Sequence, residues 1–262
     1  MMNVQRPLAL VTGSSSGIGL ELAKQCASHG YDVAISGSSD QIFNAAEELK
    51  QLGANAYPYK ADAATFEGVE GFWQFVSELS RPVEAAVLNV GIAIGGPFAE
   101  NSLEDDLRVV AINVTGTVHM AKRVVQHMVR NGKGKILIVS SVSATTPTPY
   151  ESVYGPSKAF GFSFAETIRE ELRGTGVSVT ALLPGATNTK FHENAGLANS
   201  PIGKREKFDK AIVGKMGYEA LMGELDHVVS GDESTLRSAI ENRLLSEPVK
   251  AQRHAKATKL FN

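Results

Sequence analysis

The sequence predicts an α/β fold, a single doubly wound parallel sheet with helices on both faces. Three observations predict it. Short apolar runs alternate with longer amphipathic segments from Pro7 almost to the C-terminus, the pattern of repeated strand–helix–strand units. The apolar runs are continuous, as in KILIVS at 135–140, which suits strands buried on both faces. A glycine-rich string, TGSSSGIG at 12–19, falls between the first apolar run and the first amphipathic segment.

The elements follow in order. Pro7 to Val11 is an apolar run closed by glycines, a first strand. Ile18 to Ser28 is amphipathic and stops at His29-Gly30. Asp32 to Ser36 is a strand, Gln41 to Leu52 a helix stopped by Gly53, and Asn55 to Tyr59 a weaker strand. Phe66 to Leu79 is a helix broken before Pro82, its Phe72, Trp73 and Phe75 packing it on the sheet. Ala85 to Asn89 is the fourth strand, and Leu103 to Asn131 one long helix stopped by Gly132. Lys135 to Ser140 is a central strand. Val153 to Arg173 is helical despite Pro156, which lies in the first turn where a missing N–H costs little. Val177 to Leu183 is a strand closed by Pro184-Gly185. Thr187 to Arg205 reads as a mobile polar loop with a short helix. Lys207 to Leu221 is a helix, Asp226 to Ser230 a last strand and Glu233 to Leu245 a last helix, and the polar tail after Pro248 is expected to be loosely held. Crossovers are expected to be right-handed.

The 262 residues, 43% hydrophobic and 21% charged, can bury a large core and do not read as disordered. No repeat, low-complexity stretch or proline-rich linker interrupts them, so residues 1–262 read as one domain. Within it lie a substrate-loop region at about 186–208 and a divergent C-terminal segment at 226–262. A net charge of −2 argues against nucleic acid as a partner. The lone Cys26 excludes a disulfide framework and a cysteine metal centre, and six scattered histidines show no ligand spacing, so no metal site is expected. The first apolar run is too short for a signal peptide and no stretch reaches membrane-spanning length. A cytoplasmic protein without a membrane partner is expected.

Within the glycine string, Gly13 permits a tight turn, Gly17 a close approach of backbone to a pyrophosphate, and Gly19 close packing of helix on strand. The helix that opens at Ile18 presents free N–H groups to phosphates, and Ser14, Ser15 and Ser16 add hydroxyl donors. An ordinary glycine-rich turn is the bland alternative, which the placement between strand and helix disfavours. After the second strand, position 37 carries no acidic residue to hold a ribose 2′-OH, while Ser38 and Ser39 can donate to a phosphate. This favours NADP(H) over NAD(H), although no basic residue stands there. A turn and helix cap is an equally good account of the two serines.

Tyr154 and Lys158, four apart, face the same side of a helix, and Ser141 lies thirteen residues upstream at the carboxyl edge of the sheet. A phenol titrates near pH ~10 unperturbed. The neighbouring ammonium is expected to lower that value, so that Tyr154 exchanges a proton with an alcohol or carbonyl close to neutral pH. The Ser141 hydroxyl can hold the substrate oxygen. A solvated helix face is the likelier reading of a Tyr–Lys pair alone; Ser141 and the glycine string overturn it.

With these residues assembled, the chain resembles the short-chain dehydrogenase/reductase family, which has a Rossmann fold. The matching residues are TGSSSGIG at 12–19, Asp62, Asn89-Val90-Gly91, Asn113, Ser141, Tyr154-Gly-Pro-Ser-Lys158, and Pro184-Gly185 with Thr189. The resemblance covers about three quarters of the chain. It implies Tyr154 as general acid/base, Lys158 as ligand of the nicotinamide ribose, Ser141 as orienter of the carbonyl, and Asn113 as holder of a relay water. It implies Asp62 and Ala63 against the adenine, Asn89 and Gly91 lining the cofactor, and Pro184, Gly185, Thr187 and Thr189 at the carboxamide. Two departures stand out: Val90 replaces the usual alanine, and the usual closing strand ending in Asp-Gly-Gly is missing. The second puts a tetramer in doubt and leaves a homodimer through the helices at 103–131 and 153–173, with a homotetramer as alternative. The activity implied is hydride transfer between NADP(H) and a small or medium, mainly apolar carbonyl or alcohol. Lys190, His192 and Lys204 are available to an acidic substrate. The alternative is a non-catalytic dinucleotide-binding sensor or scaffold, which has no need of the tyrosine.

Overall fold

The computed structural model describes residues 6–259. The segment weighed above as a possible leader begins in residues 1–5, outside the described residues, as do 260–262. Seven parallel strands form one sheet in the order β3-β2-β1-β4-β5-β6-β7. They are β1 (Leu8–Val11), β2 (Asp32–Gly37), β3 (Ala56–Lys60), β4 (Val83–Leu88), β5 (Gly134–Val139), β6 (Val177–Pro184) and β7 (His227–Ser230). The order reverses at β1, which pairs with β2 on one side (Leu10 opposite Ala34) and β4 on the other (Leu10 opposite Ala86). A crevice opens beyond the carboxyl ends of strands at such a reversal.

Burial of both sheet faces explains the continuous apolar strands. On one face α1 (Gly17–Ser28), α2 (Gln41–Gln51) and α9 (Lys210–Met222) cover Val11, Ile35 and Leu137 with Leu22, Cys26, Ile42, Leu49 and Leu221. On the other, α3 (Phe66–Glu78), α5 (Thr117–Asn131) and α6 (Tyr154–Glu171) bring Phe72, Val76, Val124, Met128 and Ala165 onto Leu10, Ile136 and Ile138. The expected stop at Gly132 is a left-handed residue with φ +65° whose N–H returns to the Val129 carbonyl.

Two expectations need correction. The long helix at 103–131 is interrupted. It runs as α4 (Leu103–Val110), a π-helical turn at Ala111–Gly116, then α5. The wide turn carries Asn113, whose side chain is held by three hydrogen bonds to other elements, and a one-residue bulge of this kind recurs at functional positions. The tail after Pro248 is not loose. Glu247–Thr258 forms α11, with Pro248 in its first turn, so the proline opens a helix instead of ending one. The helix docks through Thr258, fully buried, which donates to the Pro149 carbonyl at 2.8 Å, and through His254, which donates to the Glu151 carboxylate at 2.9 Å. Between β6 and α9 the polar loop holds two single turns, α7 (Phe191–Asn194) and α8 (Pro201–Lys204); α10 (Glu233–Glu241) precedes α11. Among the described residues no helix is long and apolar enough to cross a membrane.

Candidate active site

The glycine string turns at the crevice. Gly13 (φ +64°) and Gly17 (φ +61°) adopt the left-handed region, where a side chain is strained. Space forbids side chains as well: a Cβ on Gly13 would lie 2.8 Å from the Val90 Cα, and one on Gly19 only 2.3 Å from the Gly13 oxygen. Asn89, just past β4, staples the turn by donating from Nδ2 to the carbonyls of Gly13 (2.9 Å) and Thr12 (3.1 Å). No side chain caps the start of α1 at Ser16, so its first N–H groups keep their donor capacity for an anion. The Ser15 hydroxyl is buried without a partner among the described residues and faces Gly37, where a Cβ would stand 1.9 Å away. An orphaned donor beside a cradle that any Cβ would fill fits the phosphates and ribose of a dinucleotide.

From this cradle a cavity of about 500 Å³ runs along the sheet edge. Ser38, Ser39, Asp62, Ala63, Gly91, Ser141, Tyr154, Lys158, Pro184, Gly185, Thr187 and Thr189 line it, with the glycine string and Asn89. Asn113 does not reach the wall. It stands behind it, accepting from the Ile92 N–H and donating to the Ile92 carbonyl and the Ser157 hydroxyl, each at 2.9 Å. Asp62 receives the Ala64 N–H and the Arg108 guanidinium (3.1 Å); burial pushes its carboxyl up, but these donors hold it below the usual range.

At the far end, α6 begins at Tyr154 and projects Tyr154 and Lys158 inward, both 7% exposed. The ammonium lies 5.7 Å from the tyrosine ring centroid and donates to the Val139 carbonyl at 3.1 Å. Gly91 faces it, and a Cβ there would meet Nζ at 2.8 Å. Ser141 caps the short 3-10 turn at Val142–Thr145, accepting from the Ser143 N–H at 3.1 Å. The expected lowering of the tyrosine's pKa is reversed here. Burial pushes the phenol above its ordinary value, Glu151 adds to the rise, and the Ser141 hydroxyl draws it the other way. Burial also lowers Lys158, to about 8. Both changes have one cause: each group is enclosed, so its charged form is penalised.

Several wall residues were not assigned to the site from the sequence. Phe191 packs on Tyr154 at 5.1 Å between ring centroids, and Ile92 and Arg108 also line the cavity. So does Glu151, a carboxylate only 3% exposed, one turn before Tyr154. It is the single charged residue between Lys135 and Lys158, which was the available signal. Of the residues offered to an acidic substrate, Lys190 and His192 reach the cavity and Lys204 does not. Away from the site, the fold brings ligand atoms of Glu166, Asp226 and His227 within 4.8 Å of one another, a proximity across α6 and β7 that linear spacing hides. Asp226 and His227 already bond each other at 2.9 Å, and nothing there marks a metal.

The short chain dehydrogenase family profile matches residues 7–199. A probable oxidoreductase, EphD, of Mycobacterium tuberculosis is 35% identical over 204 residues, 77% of this chain; the chain spans only 34% of that relative's length. Oxidoreductase UcpA of Salmonella typhimurium is 29% identical over 239 residues, covering 89% of this chain and 91% of the relative. Among solved structures, a short-chain dehydrogenase from Sphingobium yanoikuyae in complex with NADPH superposes with a TM-score of 0.81 at 24% identity, over 91% of this chain and 93% of that one, a likeness of fold. The chain belongs to the short-chain dehydrogenase family.

Proposed function

We propose that the protein interconverts a carbonyl compound and its alcohol with NADP(H) in preference to NAD(H), using Tyr154, Lys158, Ser141 and Asn113. The observation that carries this reading is the convergence of the Tyr154 phenol, the Lys158 ammonium and the Ser141 hydroxyl at one end of a cavity whose other end is a phosphate cradle. When bound, the nicotinamide supplies the hydride that reaches the carbonyl carbon. Tyr154, raised by burial, holds its proton at neutral pH and donates it to the carbonyl oxygen; in the reverse direction it accepts that proton. Ser141 donates a hydrogen bond to the same oxygen as negative charge develops. Lys158, turned toward Gly91, is charged over most of the neutral range and favours the phenolate left by proton transfer. Asn113 fixes the Ile92 backbone and Ser157, and so the spacing between the β4 edge and α6.

The preference for NADP(H) rests on the second-strand end. Gly37 offers no carboxylate against a 2′-phosphate, and the orphaned Ser15 hydroxyl and Ser38 and Ser39 supply donors. The exposed apolar residues Leu103, Leu107 and Val110 on α4 and Phe160 on α6 support a homodimer through these helices. We read the chain as one domain of a cytoplasmic protein. The test is Tyr154→Phe. Turnover of a ketone panel should disappear while NADPH affinity by fluorescence titration stays within about threefold. Undiminished turnover overturns the role of Tyr154, and equal or tighter binding of NADH overturns the cofactor preference.

A further inference from the structure

The substrate end of the cavity holds two polar side chains that proton transfer does not use. Glu151 and His192 both line the wall. They are 3% and 6% exposed. A carboxylate so enclosed is costly unless it is paired. Glu151 has one side-chain partner among the described residues, His254 of α11, on one oxygen only. His192 comes from α7, next to Phe191, whose ring packs on Tyr154. Its Nδ1 is wholly enclosed and makes no hydrogen bond among the described residues. Both residues line the same cavity as Tyr154, and among the described residues no hydrogen bond or ion pair joins them, so each keeps free capacity for a ligand. Burial first, and Lys207 second, favour the uncharged imidazole, against the pull of Glu151.

A carboxylate only accepts hydrogen bonds, whereas a neutral imidazole offers one donor and one acceptor. A hydroxyl answers both at once, donating to one and accepting from the other. A carboxylate on the substrate is repelled by Glu151, and a wholly apolar substrate leaves two buried polar groups unanswered. We propose that Glu151 and His192 form a hydroxyl-binding subsite beside Tyr154, so that the preferred substrates are ketones bearing a hydroxyl near the reacting carbonyl, and their diol products. This rests on the carbonyl-reducing reading above and narrows its mainly apolar substrate. It also gives α11 a purpose: His254 and Thr258 fix the loop at 147–151, and with it the carboxylate.

The experiment compares kcat/KM, with NADPH, for matched pairs: 3-hydroxybutan-2-one against butan-2-one, and 2-hydroxycyclohexanone against cyclohexanone. Pyruvate and 4-(dimethylamino)butan-2-one serve as the anionic and cationic counterparts. The hydroxyl should raise kcat/KM by about tenfold or more, mainly through KM, as expected when a buried charged acceptor gains its donor. Glu151→Gln and His192→Phe should each reduce that ratio severalfold toward one, with NADPH affinity and melting temperature recorded alongside to show that each variant is folded. Two variants on separate elements guard against the loss of either. A ratio near one in the parent, a ratio that survives both substitutions, or a preference for pyruvate or the amine overturns the subsite. If simple ketones are reduced and the hydroxyl adds nothing, the subsite alone falls. If NADPH binds and no carbonyl compound is reduced, the carbonyl-reducing reading falls, and the subsite with it.

Discussion

Replacing Gly19 by alanine tests the phosphate cradle without touching a group that moves a proton. The new methyl carbon would stand 2.3 Å from the Gly13 oxygen and 2.4 Å from the Asn89 Nδ2, atoms that now bond each other at 2.9 Å. Both neighbours are tied down, the first by backbone and the second by its two carbonyl acceptors, so relief requires the turn to open. Overpacking of this kind costs about 1–3 kcal/mol. Each Asn89 hydrogen bond lost adds about 0.5–1.5 kcal/mol. If about 2 kcal/mol of the total falls on the cofactor-bound state, NADPH binds about thirtyfold more weakly. The assay is an NADPH fluorescence titration, with melting followed by circular dichroism. Gly30→Ala is the control: Gly30 has φ +91° and nothing within 4 Å of an added Cβ. Its strain should lower stability by about 1 kcal/mol and leave NADPH affinity alone. A folded Gly19→Ala protein that binds NADPH within about threefold of the parent would refute the cradle geometry and the fit argued from it.

Three other perturbations follow from groups elsewhere in the fold. Asp32 is buried and holds Arg81 at 2.9 Å and Asn55; burial raises its carboxyl, but the donors from Asn55 and Arg81 prevail and hold it low. A lowered folded value means its contribution is present above the ordinary carboxylate range and lost as pH falls through the folded value. Asp32→Ala should therefore cost about 3–5 kcal/mol in urea unfolding at pH 7, and the gap to the parent should narrow in acid; a gap independent of pH would count against the pairing. Cys26 is fully buried and burial pushes its thiol up to about 12, so a disulfide reagent should label it only after denaturation, and prompt labelling of the native protein would contradict the packing of α1. Thr258→Val removes the donor to the Pro149 carbonyl; stability should fall by about 1 kcal/mol and the substrate KM rise with NADPH affinity unchanged, whereas an unaltered KM would mean that α11 does not hold the substrate wall.

What the sequence made legible divides along the cavity. Strand and helix positions were readable because burial on both sheet faces demands long uniform apolar runs, and the glycine string was readable because left-handed backbone and close approach admit few residues. Tyr154, Lys158 and Ser141 follow from helical spacing and from the edge of a strand. Glu151 and Phe191 were not assigned roles, and His192 was offered only to an acidic substrate, because the loops carrying them have no period. Their meaning lies in contacts with residues far along the chain, such as Glu151 with His254, 103 positions away. The tyrosine's charge balance was misjudged for a related reason: adjacency in sequence reveals the ammonium but not how completely both groups are enclosed. The tail was misread because Pro248 signals a break when only its own neighbourhood is considered, and a first helical turn once α11 has something to pack on.

The two ends of the cavity are thus built differently. The dinucleotide end is a knot of main chain at the reversal of the sheet, in which almost any added atom collides. The opposite end is assembled from short turns and held in place from outside by α11, beyond the segment that matches the family profile. Substitutions that retune what the protein accepts can therefore accumulate on α7, the 142–151 loop and α11 while the glycine cradle is inherited unchanged, and a library aimed at new ligands should begin there.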